Sequence, residues 1–235
     1  SAPISVTPPS NTRLRSLAAQ EAAAAERAGA DVLLVFPPNS LALPHHPSVV
    51  DLHHRHVLEA CGLPILLYGA PVGAGHLAYP PATLSRLADH PRIIGIKEGS
   101  WEVAAYEATW RLFQGREDFA VLGSGDEHLL VSYMIGSAGS QVSLAALAPQ
   151  LIVDLFAAAS SGDWQRARVL HDRVYPLAKA IYGTHPASRA TARLKAALAL
   201  VGIIPSATVR PPQPALSGEE VSALQSALNA VGLSA

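Results

Sequence analysis

Short apolar runs alternate along most of the chain with longer stretches in which apolar positions recur every three to four residues. The first pattern fits buried strands and the second amphipathic helices. Pro3–Val6, Asp31–Phe36, Pro64–Tyr68, Arg92–Lys97, Phe119–Gly123 and Ala138–Ser143 read as six strands. Between them lie five helical segments. The first is an Ala-rich stretch capped by Ser10 or Asn11 and ending near Gly29, and the second runs from Ser48 to Cys61. Pro80–Asp89, a helix capped by Ser100 and reaching Phe113, and Asp126–Ile135 follow. A repeat of roughly thirty residues per strand and helix is that of βα units and a parallel sheet. After Pro149 the strand signal stops. Asp163–Tyr182, Pro186–Gly202 and Ser217–Val231 read as helices, with Pro205–Pro214 an irregular connector.

Six strands pose a topological question, because a closed parallel barrel needs eight and an open one leaves unpaired edges. Either the sheet is open and doubly wound, or two βα units precede the first strand. At 235 residues, 49% of them apolar, the chain is long enough for one large α/β domain. A net charge of −1 and a pI near 6.8 argue against nucleic-acid and anionic-membrane partners. No apolar run approaches the roughly 18 residues of a membrane span, since Pro205 ends the stretch from Leu198 to Ile204. Cys61 is the single cysteine, which suits a reducing compartment, and no signal-peptide pattern opens the sequence. A cytoplasmic location is expected. The first residue is Ser1 and the single methionine is Met134, which points to a fragment, a processed chain or numbering that begins partway in.

Lys97 carries the most chemical information. There are three lysines against fourteen arginines, and this one ends the apolar strand Ile93–Ile96. Strict alternation places Ile94 and Ile96 on one side and Ile93, Gly95 and Lys97 on the other. An amine at the inward end of such a strand loses hydration, which favours its neutral, nucleophilic form. A neutral lysine forms a Schiff base with a carbonyl substrate. The alternative is a lysine that ends an edge strand and points into water.

Several segments in fixed order resemble the dihydrodipicolinate synthase / N-acetylneuraminate lyase family of class I aldolases. They are Ala28–Leu33 with Phe36, Pro37 and Pro38; Leu63–Pro71 with its Tyr68, Gly69, Ala70 and Pro71; Ile93–Glu98; Gly123–Asp126; and Gly136–Gly139 leading to Pro149. Leu194, Lys195, Gly202 and Val209–Pro212 complete the series in the helical tail. The resemblance implies a TIM (βα)8 barrel with a C-terminal extension of three helices. Six of its eight strands fall in this chain: 1–161 form the partial barrel from the family's third strand to its eighth, and 162–235 form the extension. It also implies two further βα units ahead of Ser1, carrying the Gly-Gly-x-Thr/Ser-Gly-Glu loop that holds the pyruvyl carboxylate in relatives.

By position, the resemblance makes Lys97 the imine-forming lysine and Tyr68 the hydroxyl that shuttles protons beside it, with no cofactor beyond the covalent imine. Departures from the family pattern bear on the substrate. Tyr-Asn-x-Pro becomes Tyr68, Gly69, Ala70, Pro71, and Gly73 stands where dihydrodipicolinate synthases carry a carboxylate-clamping arginine. Gly69, Gly73 and Gly75 therefore suggest a roomy, uncharged rim with no guanidinium fork, against a dedicated role in lysine biosynthesis. Asn39 and Ser40 replace a familiar aromatic pair, and Ala146 stands where relatives often have Asn. Gln141 and Ser143, at the end of the last strand, are the candidates for contact with substrate hydroxyls.

Other signals fit structural roles. His45, His46, His53, His54 and His56 cluster, with His53 and His56 at helical spacing for a ligand pair. No Cys or carboxylate completes a set, so loop histidines and a solvated helix face are expected, and no metal. Asp126 reads as a helix N-cap. Glu98 should point away from Lys97 and serve as a cap or a supporting group. Trp101, Tyr106 and Trp110 read as packing residues, and Pro71–Gly75 is too short for a nucleotide fingerprint.

The expected activity is that of a lyase acting on a 2-oxo acid through a lysine Schiff base. It is either retro-aldol cleavage giving pyruvate or dehydration of a 3-deoxy-2-oxo sugar acid. The partners expected are a small-molecule substrate and further copies of the chain, as a homotetramer. Two rivals stand beside it: an impaired family member that binds ligand or assembles without turnover, and a metal-dependent lyase using the histidines.

Overall fold

The computed structural model describes residues 4–6 and 12–233, with the side chains of 4–6 and 12–16 left aside. Ser10 and Asn11, the expected caps of the first helix, lie outside the described residues. Five strands form one parallel sheet: β1 (Ile4–Val6), β2 (Leu33–Val35), β3 (Ile65–Gly69), β4 (Ile93–Glu98) and β5 (Ala120–Leu122). Their spatial order is the order in the chain, β1-β2-β3-β4-β5. A doubly wound sheet reverses strand order at a switch point. No reversal occurs among the described strands, so the singly wound barrel pattern is the one observed.

The sixth expected strand, Ala138–Ser143, is reduced to one parallel bridge between Gly123 and Ser140. The Ser137 hydroxyl donates to the Gly139 carbonyl at 2.5 Å and accepts from the Gly123 backbone N–H at 2.9 Å, so it shares with the backbone the groups of the short ladder that remains, Gly123 N–H to Gly139 carbonyl and Ala138 N–H to Val121 carbonyl. From Ser143 the chain enters a 3-10 turn, Ser143–Ala146.

The helices that follow the strands are α1 (Thr12–Arg27), α2 (Pro47–Ala60), α3 (Pro81–Ala88), α4 (Val103–Phe113) and α5 (Leu129–Ile135). Pro at the first position starts α2 and α3, where a missing N–H costs nothing. Gly29, at φ 86°, takes the left-handed conformation that closes α1. Ser100 does not cap α4. Glu102 occupies that place without a side-chain cap bond, because the Ser100 hydroxyl is bonded to Glu98. The segment 126–128 is a 3-10 turn ahead of α5.

Four further helices complete the chain: α6 (Pro149–Ser160), α7 (Trp164–Ile181), α8 (Ala190–Leu200) and α9 (Gly218–Ala230). α6 was not foreseen, although Pro149 at its first position and buried Leu151, Ile152 and Leu155 at helical spacing mark it. α9 opens with a capping box between Ser217 and Glu220.

The chain falls into two compact units: one runs to Ser124 and includes Ile135–Ser140, the other comprises Gly125–Met134 and the residues from Gln141 onward. The first has a core of Leu33, Val35, Ile65, Leu67, Ile93, Ile96 and Val121 against the small side chains of α1 and the apolar face of α2. The second buries Leu155, Val174, Leu177, Ile181 and Leu228. Arg193, 1% exposed, donates to the carbonyls of Ile181, Thr184 and Pro186 within it.

Register sets which residues share a face. Ile65 pairs with Ile93, but Leu66 pairs with Gly95, so Ile94 is an extra residue in β4. Ile93 therefore joins Ile65, Leu67, Ile96 and Val121 on the face buried in the core, contrary to strict alternation. Leu66, Tyr68, Gly95, Lys97 and Leu122 share the other face. Among the described residues no helix is long and apolar enough to cross a membrane.

Candidate functional site

The first unit brings Lys97 and Tyr68 together. They are register partners on β4 and β3, so their side chains leave the sheet on the same side. The Lys97 Nζ lies over the Tyr68 ring, 5.4 Å from its centroid. Phe36, just beyond β2, stacks on that ring with centroids 4.1 Å apart and planes inclined by 24°. Three consecutive strands thus hold one aromatic–amine cluster. Burial, and secondarily the Glu98 carboxylate, push the Tyr68 phenol above its ordinary pKa, so it keeps its proton and serves as a donor.

The backbone beneath the phenol is glycine by necessity. A Cβ on Gly99 would meet Cζ and Oη of Tyr68 at 3.2 Å and run into the Gly69 carbonyl. Gly95 is similarly constrained, since a Cβ there would collide with the Ala120 carbonyl. Across the site's loops, the Val72 N–H donates to the Ser100 carbonyl at 3.4 Å, and the Ser124 hydroxyl donates to the Glu98 carbonyl.

Glu98 occupies the opposite face from Lys97, paired with Gly69, and is 5% exposed. Its carboxyl accepts from the Ser100 N–H at 3.1 Å and from the Ser100 hydroxyl at 2.9 Å. Burial raises its pKa to about 7 against the opposing pull of those two bonds. The Ser100 hydroxyl also accepts from the Glu102 N–H at 3.2 Å. Inside this turn Trp101 adopts φ 61°, a left-handed conformation that costs a bulky residue energy and is held by its surroundings.

The remaining expected site residues are placed differently. Gly69 faces Glu98 rather than Lys97. Gly73 is exposed in the 3-10 turn Val72–Leu77, with nothing within 4 Å of where a Cβ would stand. Gln141 and Ser143 belong to the second unit. There the Gln141 Oε1 is buried without a hydrogen-bond partner. Ser143 bonds Tyr182, whose phenol is pushed by burial to about 12. Asp126 is buried, and its Oδ1 accepts from the Leu144 N–H at 3.0 Å instead of capping its own helix.

The histidines do not form a solvated face. His53 and His54 are buried. The His54 Nδ1 donates to the Val50 carbonyl at 2.9 Å and its Nε2 faces the Tyr79 hydroxyl at 3.4 Å, while burial lowers its pKa to about 4. Among the described residues no three His, Cys, Asp or Glu side chains gather as a metal site. Trp110 donates from Nε1 to the Gly136 carbonyl at 2.9 Å, a packing role.

Sequence reasoning missed the burial of Glu98, the stacking of Phe36 and the approach of Tyr68 to Gly99. A carboxylate in the last position of an apolar strand, followed two residues later by serine, is the signal that was present for the first.

Chain order of parallel strands and helical crossovers are those of a βα-barrel fold, and comparison with known proteins agrees. The dihydrodipicolinate synthetase family model matches residues 11–231, and the chain belongs to that family. It is 34% identical over 206 residues to 4-hydroxy-tetrahydrodipicolinate synthase 1 of Streptomyces coelicolor, covering 88% of this chain and 64% of that protein. To the 4-hydroxy-tetrahydrodipicolinate synthase of Methanopyrus kandleri it is 34% identical over 194 residues, 82% of this chain and 60% of the relative. The chain thus spans somewhat under two thirds of the length of these relatives. Among solved structures, dihydrodipicolinate synthase from Bacteroides thetaiotaomicron superposes with a TM-score of 0.83 at 27% identity, over 97% of this chain and 75% of that one. YagE, a prophage protein of the dihydrodipicolinic acid synthase family from E. coli K12 in complex with pyruvate, gives 0.85 at 25% identity, over 99% and 76%.

Proposed function

We propose that the protein is a class I lyase that captures the keto group of a 2-oxo acid on Lys97. The observation that carries this reading is the Lys97 nitrogen over the Tyr68 ring on paired strands. Nζ adds to C2 of the substrate, water leaves, and a protonated imine remains. In the cleavage direction Tyr68 relays the proton away from the C4 hydroxyl, the C3–C4 electrons move into the iminium, and an aldehyde departs. The enamine takes a proton at C3, and water at C2 releases pyruvate and restores the amine. In the dehydration direction a C3 proton and a hydroxyl leave instead, through the same electron sink.

Support for the substrate class comes from the loop after β3. Residues 70–78 contain no Lys or Arg, and Gly73 offers only open space. Without a guanidinium or ammonium in that loop to grip a second carboxylate, a 2-oxo sugar acid or a product with an uncharged aldehyde is favoured. Gln141 and Ser143 are proposed to touch substrate hydroxyls and Gly73 to leave room for it, whereas Gly69, on the other face of the strand, is not part of that space; no metal or cofactor is required. The reading carries a cytoplasmic homotetramer with it.

The test is reduction with borohydride in the presence of pyruvate on the full-length protein, read by intact mass. One reduced pyruvyl adduct on Lys97 is expected. No adduct, an adduct that survives Lys97→Ala, or pyruvate capture without turnover of any 2-oxo acid in a panel would overturn the proposal.

A further inference from the structure

On the face of β3 and β4 turned away from Lys97, α3 and α4 leave a pocket of about 250 Å³. Gly69, Ile96 and Glu98 form its floor, and Leu84, Ala108 and Leu112 are among its walls. A dry apolar cavity of about 150 Å³ accepts a benzene ring, so this volume suits a body of roughly eight to ten non-hydrogen atoms.

The pocket is chemically lopsided. Glu98 is the one carboxyl in its lining, and no Lys, Arg or His stands there to balance it. The Tyr79 hydroxyl, also in the lining, is engaged with the His54 Nε2 at 3.4 Å. Ser100 supplies one donor to each Glu98 oxygen. An ionised carboxylate offers about four acceptor positions, so capacity remains for a ligand. A buried carboxylate without a cationic partner is costly, and a cation brought in by a ligand offsets that cost.

We infer that this pocket binds a small organic monocation, a primary ammonium on a compact hydrocarbon body, with the ammonium on Glu98 and the hydrocarbon against α3 and α4. The inference stands apart from the imine chemistry, although the floor is made by the two strands that carry Lys97 and Tyr68 on their other side. Groups facing Glu98 are few. Tyr68 and Tyr79 both keep their protons, since burial raises both phenols, and His54 behind Tyr79 stays neutral.

The experiment is calorimetric titration with benzylammonium at pH 6 and pH 8, with benzyl alcohol as the neutral control. A carboxyl with a midpoint near 7 is about one-tenth ionised at pH 6 and about nine-tenths at pH 8, so affinity should rise about tenfold. Benzyl alcohol should bind at least roughly tenfold more weakly and without pH dependence. Glu98→Gln should lose about tenfold or more and flatten the pH profile, and Ala108→Leu, which fills the pocket, should abolish saturation. Lys97→Ala should bind as the parent protein does, which separates this pocket from the imine site. Equal affinity for the alcohol, a flat pH profile in the parent protein, undiminished binding by Glu98→Gln or by Ala108→Leu, loss on Lys97→Ala, or no saturation at millimolar ligand would each overturn the inference. The parent protein's two pH values and the neutral control decide the matter even if a variant fails to fold.

Discussion

Two faces of the same pair of strands differ in what they ask of an ionisable group. On one, Lys97 and Tyr68 are half-buried partners beneath Phe36. On the other, Glu98 is largely buried, lines the apolar pocket beneath α3 and α4, and is hydrogen-bonded by Ser100. Adjacent residues therefore sit in opposite settings: the first face leaves an amine half-exposed, and the second holds a carboxyl whose pKa burial has raised. Accessible groups should govern turnover, and sealed ones should govern stability and its pH dependence.

The sharpest way to break this comparison is Lys97→Ala. Turnover of the 2-oxo acid should fall by roughly a thousandfold or more, with the borohydride adduct lost, while the thermal midpoint moves by a few degrees at most. Loss of folding instead would place Lys97 with the structural face. Tyr68→Phe should lower kcat by about a hundredfold or more yet leave imine trapping intact. Equal loss of trapping would mean that the phenol acts in capture rather than in proton transfer.

Glu98 tests the opposite face. Its native pKa, about 7, lies above its ordinary value of 4.5, so the folded state holds more protons than the unfolded one between those limits. Stability linked to Glu98 is thus full below about pH 4.5 and lost as pH rises through 7. The total is on the order of 3 kcal/mol. Relative to Glu98→Gln, the parent protein should lose stability steadily from pH 5 to pH 8 in urea titrations. A pH-independent difference would sink the assignment. Gly99→Ala drives a methyl into the Gly69 backbone carbonyl, so it should cost about 3 kcal/mol or more. It should lower kcat as well, because the new methyl meets the Tyr68 hydroxyl. A stability loss without any kinetic effect would detach Gly99 from the site.

The contrast also marks what the sequence made legible. Five of the strands and the helices between them were readable, because hydrophobic period is a local property, whereas the barrel order and the pairing of Lys97 with Tyr68 came from the family resemblance. The exchange of Ile93 to the buried face was not readable, since it depends on one extra residue measured against a neighbouring strand. The sealing of Glu98, His53 and His54 was equally hidden, because it is conferred by helices that pack across them from elsewhere in the chain. Ala138–Ser143 looked like a strand by composition, but its pairing stops after one bridge and the chain turns into a 3-10 segment at Ser143.

Ile94 is the one residue of its strand that the neighbouring ladder passes over. Removing it, with all others kept, would leave Ile93 opposite Ile65, Gly95 opposite Leu66 and Lys97 opposite Tyr68, and would take away only the local bend that an extra residue gives a strand. Imine formation should therefore survive that deletion. One residue inserted between Gly95 and Lys97 should instead turn the amine to the other side of the sheet and erase trapping.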